Sequence, residues 1–320
     1  MHRSFMVKLL AALLLAAPIA PGVAETFPAR PIQIIVPLTA GSVLDLLARA
    51  MAEAMGQATS QSIMVLNREG AGGSIGATLV SRAKPDGYTI AFGGDSAVTV
   101  QPHVTKDLGY SIDSFDYICQ TNISPIVIAV GPNSPFQTFA EFVAAARKTA
   151  RPLTYGTTGN AQITHLVGES MVVEGGLKLA HVPFRSVADM NVQTINGSVD
   201  FTITLPNILT LGRGVRGLAL ASDEPMEALP TVPLLGTQGF KRSVMYSVHM
   251  MYAPRGLPPE TLGWLRKACG EAAKSNAFRT MTGRTFTIPR HIDGAEFAAI
   301  VRRDAHDRGE LIRSIGLRAE

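Results

Sequence analysis

The sequence predicts an α/β protein of two lobes, each a mostly parallel sheet flanked by helices. Short apolar runs alternate with amphipathic stretches after residue 24, and this alternation is typical of parallel sheets covered on both faces. The pattern restarts after Asn122, which indicates a second lobe, and the chain ends in another amphipathic stretch. The apolar fraction of 46% over 320 residues is enough for two full cores.

The N-terminal segment 1–24 has the pattern of a secretory signal peptide. Arg3 and Lys8 precede a short apolar run at 9–17, and prolines followed by small residues end the segment at Ala24. A membrane-spanning helix needs roughly 20 apolar residues, which this run does not reach. We therefore expect export to the periplasm with cleavage near Ala24. Loss of Arg3 and Lys8, with no acidic residue, lowers the formal net charge from +4 to +2.

The elements of the first lobe follow from prolines, glycines and helical spacing. Prolines bound the apolar run Pro31–Pro37, and apolar residues between Leu44 and Met55 recur on one helical face. A turn at 85–87 (Pro-Asp-Gly) introduces a further strand. The predicted strands lie at 31–37, 62–66 and 88–92, and the predicted helices at 45–55 and 76–83.

The second lobe shows the same alternation before the chain returns to the first. Thr138 is placed to cap an amphipathic helix, and the run 126–130 is apolar throughout. The predicted strands are 126–130, 153–156, 179–182, 200–204, 218–221 and 248–253, and the predicted helices are 139–148, one ending at Met171, and 260–275. A terminal helix is predicted to turn inward Phe297, Ile300, Val301, Leu311, Ile312 and Ile315.

Composition argues against nucleic-acid partners and against a metal site. Lys and Arg do not cluster, and even Arg302-Arg303 is flanked by acidic residues. The histidines are scattered, without the H-x-x-x-H or C-x-x-C spacing that zinc favours. Cys119 and Cys269 could pair after export, but two cysteines carry no framework information, and we expect two buried free thiols.

Three loops join a strand to a helix, which is where α/β sheets bind ligands. The first loop (37–45) combines small residues with a helix start that favours an anion, although Gly41, Ser42 and Asp45 could equally serve only to cap the helix. The glycine-rich loop (70–76) lacks the G-x-G-x-x-G spacing of dinucleotide sites, so close helix packing explains it better. In the third loop (155–165), a hydrogen bond within the helix turn explains His165 more simply than a ligand contact does.

No combination of residues predicts an enzyme or a bound cofactor. Gly94-Asp95-Ser96 is similar to the nucleophile motif of one esterase class, which expects Asp-x-x-His near the C-terminus. The chain instead has Asp304-Ala305-His306, one residue short. An exported hydrolase built around Ser96 therefore stays only as an alternative.

An ordered series of motifs resembles the extracytoplasmic substrate-binding proteins of tripartite tricarboxylate transporters, the Bug family. The resemblance runs over nearly all of residues 25–315. The motifs that carry it are F-P-A-R-P at 27–31, I-I-V-P at 34–37, N-R at 67–68, G-A-G-G-S-I-G at 70–76, P-D-G-Y-T at 85–89, H-V-P at 181–183 and L-P-T-V-P at 229–233.

The resemblance implies a two-lobed periplasmic binding fold, type II-like, that closes on a small carboxylate. It implies lobe 1 at 25–122 and 250–320 and lobe 2 at 123–249, hinged by strands near Tyr117–Thr121 and Val248–Ala253. It also implies a transient membrane transporter partner and a monomer, or alternatively a periplasmic sensor for a signalling partner. The ligand-binding residues implied are Thr39, Ala40, Gly41, Ser42, Asp45, Ser96, Thr157, Thr158, Asn160, Gln162, His165, Phe184 and Arg185.

The chain departs from the family pattern in the walls that would select the ligand. Leu38 replaces the usual aromatic residue, Ser42 replaces a glycine, and Phe184-Arg185-Ser186 replaces Tyr-Lys-Gly. Arg185 could bind a second carboxylate in bidentate geometry or could be a solvated basic residue. The carboxylate-binding loops are kept, while the identity of the ligand is open.

Overall fold

A computed structural model describes residues 26–211 and 214–317 of the chain. The predicted signal peptide at 1–24 lies outside these residues. The eleven strands are β1 (Ile32–Val36), β2 (Ile63–Asn67), β3 (Thr89–Gly94), β4 (Phe115–Ser124), β5 (Ile126–Val130), β6 (Leu153–Thr157), β7 (Leu179–Pro183), β8 (Phe201–Thr204), β9 (Arg216–Ala221), β10 (Ser247–Pro254) and β11 (Ile288–Asp293).

Helices follow most of the strands in the described part of the chain. Short 3₁₀ turns lie at Ala71–Gly73, Ile112–Ser114 and Leu235–Gln238. The α-helices are α1 (Val43–Thr59), α2 (Ser74–Ser81), α3 (Ser96–Thr99), α4 (Gln101–Val104), α5 (Phe139–Lys148), α6 (Ile163–Gly175), α7 (Val187–Ile195), α8 (Ile208–Leu211), α9 (Pro259–Ala273), α10 (Asn276–Arg284) and α11 (Gly294–Ser314).

The strands form two open sheets, as expected for two α/β lobes. The first has the order β11-β4-β10-β3-β1-β2, and the second has the order β7-β6-β8-β5-β9. β1 is parallel to β2 and β3, and β6 is parallel to β7 and β8. The other pairs are antiparallel, so both sheets are mixed, and the expectation of mostly parallel sheets is wrong in this detail.

The antiparallel pairs arise where the chain passes between the sheets. It leaves the first sheet through β4, which is separated from β5 only by Pro125, and it returns through β10. Because β4 and β10 run between the sheets in opposite senses, they pair antiparallel, from Ser247 opposite Ser124 to Pro254 opposite Phe115. Both predicted hinge segments lie within these two strands, and the lobe boundaries proposed at 122/123 and 249/250 also fall inside them.

Helix α1 packs its predicted apolar stripe into the core of the first lobe. It begins after Ser42, whose hydroxyl accepts a hydrogen bond from the Asp45 N–H, and it ends at Ser60 in a left-handed conformation. Leu47, Met51 and Met55 are fully buried in one core cluster with residues of β1 and β3. The helical spacing seen in the sequence therefore identified the buried face correctly.

Cys119 and Cys269 form a disulfide, so the expectation of two free thiols is wrong. Cys119 lies in β4 and Cys269 in α9, with Cα atoms 6.7 Å apart and both side chains fully buried. Packing of α9 on β4 brings together residues that are 150 positions apart in the chain. That contact belongs to the tertiary structure, and the cysteine spacing does not encode it.

The terminal helix α11 contacts both cores. Phe297 and Val301, near its start, are buried in a cluster of the first lobe, as predicted. Ile312, near its end, is buried in the main cluster of the second lobe together with Val100 and Val104. Within residues 26–211 and 214–317, no helix has the length and apolar character needed to cross a membrane.

Candidate functional site

The first loop follows β1 and is shaped by the Asp45 side chain. The N–H of Gly41, a residue with a φ of 81°, donates to Asp45 Oδ2 at 2.9 Å. Ser42 closes the other side by accepting from Asp45 N at 3.3 Å. These bonds turn the carboxylate inward, so that Asp45 is only 2% exposed while Thr39, Ala40 and Gly41 are exposed.

Asp45 has its hydrogen-bonding capacity filled by the protein itself. Arg49 contacts both carboxylate oxygens at 3.0 Å, and Asn67 Nδ2 donates to Oδ1 at 2.9 Å. Burial alone would raise the pKa of Asp45, but the hydrogen bonds from Arg49, Gly41 and Asn67 outweigh it and lower that pKa. Asp45 therefore holds the loop in shape, and its carboxylate is directed at Gly41, Arg49 and Asn67.

The third loop follows β6 and has the same construction. The N–H of Ala161, a residue with a φ of 49°, donates to His165 Nδ1 at 3.1 Å. Thr157 Oγ1 donates to Gly159 O at 2.9 Å and lies 2.7 Å from His181 Nε2. His165 is 5% exposed and Thr157 fully buried, so both face the interior, as the simpler interpretation of His165 expected.

His165 and His181 belong to a buried polar cluster below the third loop. Their rings stack with centroids 3.8 Å apart. His165 Nε2 lies 3.6 Å from Glu169 Oε1, which also accepts from the Tyr155 hydroxyl at 2.7 Å. The facing His165 is the largest influence on Glu169 and lowers its pKa against the effect of burial. Burial is the main cause that lowers the pKa of His181, to about 4.

Two hydrogen bonds join the third loop to the short helices that follow β3. Ile163 N, at the start of α6, donates to Ser96 Oγ at 3.3 Å. Gln101 Nε2 donates to Ala161 O at 3.1 Å, and Gln101 Oε1 accepts from Thr105 at 2.9 Å. Gln101 was not predicted from the sequence, because no pattern marks a glutamine in a short helix as a contact between lobes.

The glycines of the glycine-rich loop are explained by close packing, as predicted. A Cβ on Gly76 would lie 2.8 Å from Pro37 Cβ and 3.0 Å from Arg68 O, so α2 sits directly against the end of β1. A Cβ on Gly72 would lie 2.7 Å from Gln162 Nε2 in the third loop. A cavity of about 390 Å³ lies where these two loops meet. Its walls are formed by Ala71, Gly72, Gln101, Val104, Thr105, Asn160, Ala161 and Leu317.

The other predicted site residues occupy different positions around the third loop. Thr158 and Gln162 are half-buried and Asn160 is exposed. Phe184 is half-buried, and its N–H donates to Thr157 O at 2.8 Å. Arg185 is exposed and takes part in none of the hydrogen bonds or ion pairs of the described residues. The structure therefore brings Phe184 to the loop through its backbone and leaves Arg185 in solvent.

Two helices, α1 and α6, begin in the first and third loops. The first N–H groups of α1 and α6 have no partner within their own helices, and a helix dipole places partial positive charge there. Thr164, in the first turn of α6, is 7% exposed, and its hydroxyl has no hydrogen-bond partner among the described residues. The sequence analysis did not single out this residue. In the described part of the chain, no group of three or more His, Cys, Asp or Glu side chains could hold a metal ion.

Within the Gly94-Asp95-Ser96 motif, Asp95 has a structural role. Asp95 Oδ2 forms an ion pair with Arg308 of α11 at 2.5 Å, and Asp95 Oδ1 accepts from Val248 N at 3.1 Å. His306 lies on the exposed side of α11, 3.6 Å from Glu310. No hydrogen bond among the described residues joins Ser96 to a histidine, so the elements of a hydrolase site do not assemble around it.

Known proteins of similar sequence and structure identify the family. A family model described as "Tripartite tricarboxylate transporter family receptor" matches residues 47–317. A UPF0065 protein of Bordetella pertussis is 30% identical over 300 residues, which cover 93% of each chain. The periplasmic binding protein BugD has a TM-score of 0.81 at 26% identity, covering 92% of this chain and all of its own.

Two further solved structures share the fold at lower identity. The R. palustris protein Rpa4515 with adipate has a TM-score of 0.83 at 24% identity and 92% coverage of this chain. MatC of Rhodopseudomonas palustris, with bound malate, has a TM-score of 0.79 at 21% identity and 89% coverage. In each case the whole of that chain is covered. On the family match and the Bordetella relative, the chain belongs to the tripartite tricarboxylate transporter receptor family.

Proposed function

We propose that the chain is a periplasmic receptor that captures a small carboxylate between its two lobes. The observation that carries this proposal is the arrangement of the first and third loops. In each, the acidic or imidazole side chain is turned inward to accept a backbone N–H. Asp45 N and Ile163 N already donate to Ser42 and Ser96, and we assign the other N–H groups of the two helix starts to an anion. Two such loops on opposite lobes suit a ligand with at least one carboxylate.

The energetics of backbone donors support this ligand class. A hydrogen bond to a charged group contributes roughly 1.5–3 kcal/mol. Micromolar binding needs about 8 kcal/mol, which several such bonds can supply together. Adipate and malate, found with proteins of the same fold, are dicarboxylates of the right size for a first search.

The proposed contacts divide into two groups. Direct contacts are assigned to exposed or half-buried loop residues and to the two side chains that reach the start of α6, namely Thr39, Ala40, Gly41, Ser42, Ser96, Thr158, Asn160, Gln162 and Thr164. Asp45, Thr157 and His165 hold the loops in shape. Phe184 and Arg185 are proposed for the wall next to the third loop, with Arg185 free to meet a second carboxylate.

We further propose export by cleavage near Ala24 and delivery of the ligand to the membrane subunits of a tripartite tricarboxylate transporter. The family to which the chain belongs supports both steps. Uptake of the radiolabelled ligand should be lost in a deletion strain and restored by the wild-type gene. Uptake unchanged by the deletion would contradict the transport role and favour a sensor.

Calorimetric titration of the mature protein tests the binding proposal. The ligands are adipate, malate and a series of aliphatic and aromatic carboxylates. We expect Thr158→Val to weaken the best ligand by about tenfold, because a loop hydroxyl is lost. Thr231→Val is the matched control, since Thr231 is exposed and outside all three loops. Equal affinity in wild type and Thr158→Val would contradict the site assignment.

We also infer that the chain is not an enzyme. The Ser96 hydroxyl accepts a backbone hydrogen bond from Ile163, and His306 pairs with Glu310 on an exposed helix face. We expect purified protein to leave generic esters intact, as measured by release of nitrophenol. Turnover that disappears in Ser96→Ala would overturn this inference.

A further inference from the structure

The two loops that begin α1 and α6 are held by the same local device built from different chemistry. In each, the residue before the helix cap has a positive φ and donates its N–H to a side chain four positions later. In the first loop the acceptor is the carboxylate of Asp45, at 2.9 Å from Gly41 N. In the third loop it is the imidazole of His165, at 3.1 Å from Ala161 N.

The hydrogen bonds determine where the proton sits on each imidazole. Because Ala161 N–H can only donate, His165 Nδ1 must be unprotonated, and the proton of the neutral ring is on Nε2, facing Glu169. Thr157 gives its single hydroxyl proton to Gly159 O. His181 Nε2 must therefore donate to Thr157 Oγ1, so neutral His181 also carries its proton on Nε2.

An additional proton on either ring would change the contacts of the pair. On His165 it would occupy Nδ1 and remove the acceptor of Ala161 N–H. On His181 it would occupy Nδ1, leave the Nε2–H bond to Thr157 in place, and create a cation stacked on His165 with ring centroids 3.8 Å apart. The first change acts directly on Ala161, and the second acts on the third loop through the His165 ring.

We infer that the stacked His165–His181 pair is a positioning device that keeps the third loop ready for ligand only while both rings are neutral. This rests on the proposed function, since it concerns the same carboxylate site. Acid should therefore weaken the contribution of the second lobe to ligand binding. It should leave the contribution of the first lobe unchanged, because Asp45 contacts Arg49 there at 3.0 Å.

The titratable groups that face the His165–His181 pair come from three elements of the second lobe. From α6 the titratable groups are His165 and Glu169, from β6 the Tyr155 hydroxyl, and from β7 His181. No Lys or Arg forms an ion pair with Glu169 among the described residues. The pKa of His181 is lowered to about 4, first by burial and then by His165, so the ring stays neutral at pH 7 and gains its proton only in acid.

The test combines a ligand-free measurement with a binding measurement on the mature protein. Nitrogen NMR at pH 7.5 should show both rings as the Nε2–H form. Hydrogen exchange at 157–163 should accelerate between pH 7.5 and pH 4 beyond the intrinsic rate, because His181 gains its proton near pH 4, whereas exchange at 38–45 should follow the intrinsic rate. An Nδ1–H form of His165, or equal behaviour of the two loops, would overturn the inference without any ligand.

The variants separate loop positioning from simple loss of structure. His165→Asn keeps an acceptor near the Nδ1 position but cannot titrate, and His165→Leu removes the acceptor. For adipate or malate at pH 7.5, we expect His165→Leu to bind about tenfold more weakly and His165→Asn to remain within about threefold of wild type. At pH 4, His165→Asn should bind more tightly than wild type, because it has no ring stacked on protonated His181. Protonation of the ligand lowers the affinity of every variant alike. The quantity to compare is therefore the ratio of the affinities of two variants at the same pH.

The chain offers a matched control in His306 and Glu310. This pair has the same i,i+4 spacing and the same 3.6 Å separation as His165 and Glu169, but it is exposed on α11. His306→Asn should match wild type at both pH values. If wild type binds neither adipate nor malate nor any other carboxylate, the proposed function fails, while NMR and exchange still decide the inference. If wild type binds and His165→Asn keeps the full acid loss, the inference fails and the function stands.

Discussion

The first and third loops begin at equivalent points of the two lobes, yet they depend on different kinds of stability. The first is held by an ion pair between Asp45 and Arg49, on a lobe that is also cross-linked by the Cys119–Cys269 disulfide. The third is held by the imidazole of His165, on a lobe whose described residues contain no disulfide. Equal loop geometry is thus reached with a carboxylate tied to an arginine in one lobe and with an imidazole in the other.

Removing the disulfide should give the largest difference between the lobes. Closing a chain segment of 150 residues restricts the unfolded state, and Cys119→Ala with Cys269→Ala should lower the free energy of unfolding by about 3–5 kcal/mol. Urea denaturation measures the loss, and hydrogen exchange should locate it in the first sheet. Exchange that accelerates equally in both sheets would show that the lobes do not differ in this respect.

Replacing Asp45 should give an intermediate effect confined to the first loop. Asp45→Ala leaves Arg49, Asn67 and Gly41 N without their acceptor, which should cost about 2–3 kcal/mol of unfolding free energy and weaken ligand binding. Asp113→Ala is the control, because its ion pair with Arg302 is exposed and contributes less than about 1 kcal/mol. Thermal denaturation at pH 7 compares the two variants, and equal losses would contradict the role given to Asp45.

The variants Gly41→Ala and Ala161→Gly should give the smallest changes in the free energy of unfolding, and the two changes should have opposite signs. Gly41 and Ala161 both have a positive φ, at 81° and 49°. Gly41→Ala should destabilise the protein by about 1 kcal/mol, and Ala161→Gly should stabilise it by up to about that amount, because a left-handed alanine is strained. A Cβ on Gly41 meets no atom within 4 Å, so backbone conformation alone is tested. Shifts of the same sign in the two variants would show that the loops are not equivalent.

Much of the architecture was predictable because it depends on periodicity. The stripe Leu47, Met51 and Met55 faces the core, and the strands that precede all three loops lie where the apolar runs placed them. Five helices and a strand were missed, and three of these helices, α3, α4 and α8, have only four residues each. α7 and α10 offer few apolar residues at helical spacing, and β11 contains Pro289 with charged neighbours, so only tertiary packing makes it an edge strand.

The positions of the loops were predictable, whereas the directions of their side chains were not, and the ligand contacts stay a prediction. Asp45 and His165 were both placed among ligand contacts, and both turn inward to accept a backbone N–H. A sequence shows that such a residue follows a loop, but the positive φ that brings Gly41 or Ala161 within reach appears only in the folded backbone. For the same reason Gln101, which reaches the third loop across 60 positions, carried no signal.

The terminal helix constrains how the two lobes can move. Its 21 residues span about 30 Å, with Phe297 seated in one core and Ile312 in the other. An α-helix does not stretch, so it behaves as a strut beside the two crossing strands. We therefore expect the lobes to move relative to each other only as far as Phe297 and Ile312 can stay buried in their two clusters. A wide separation of the lobes would instead expose apolar surface at that end, which opposes it.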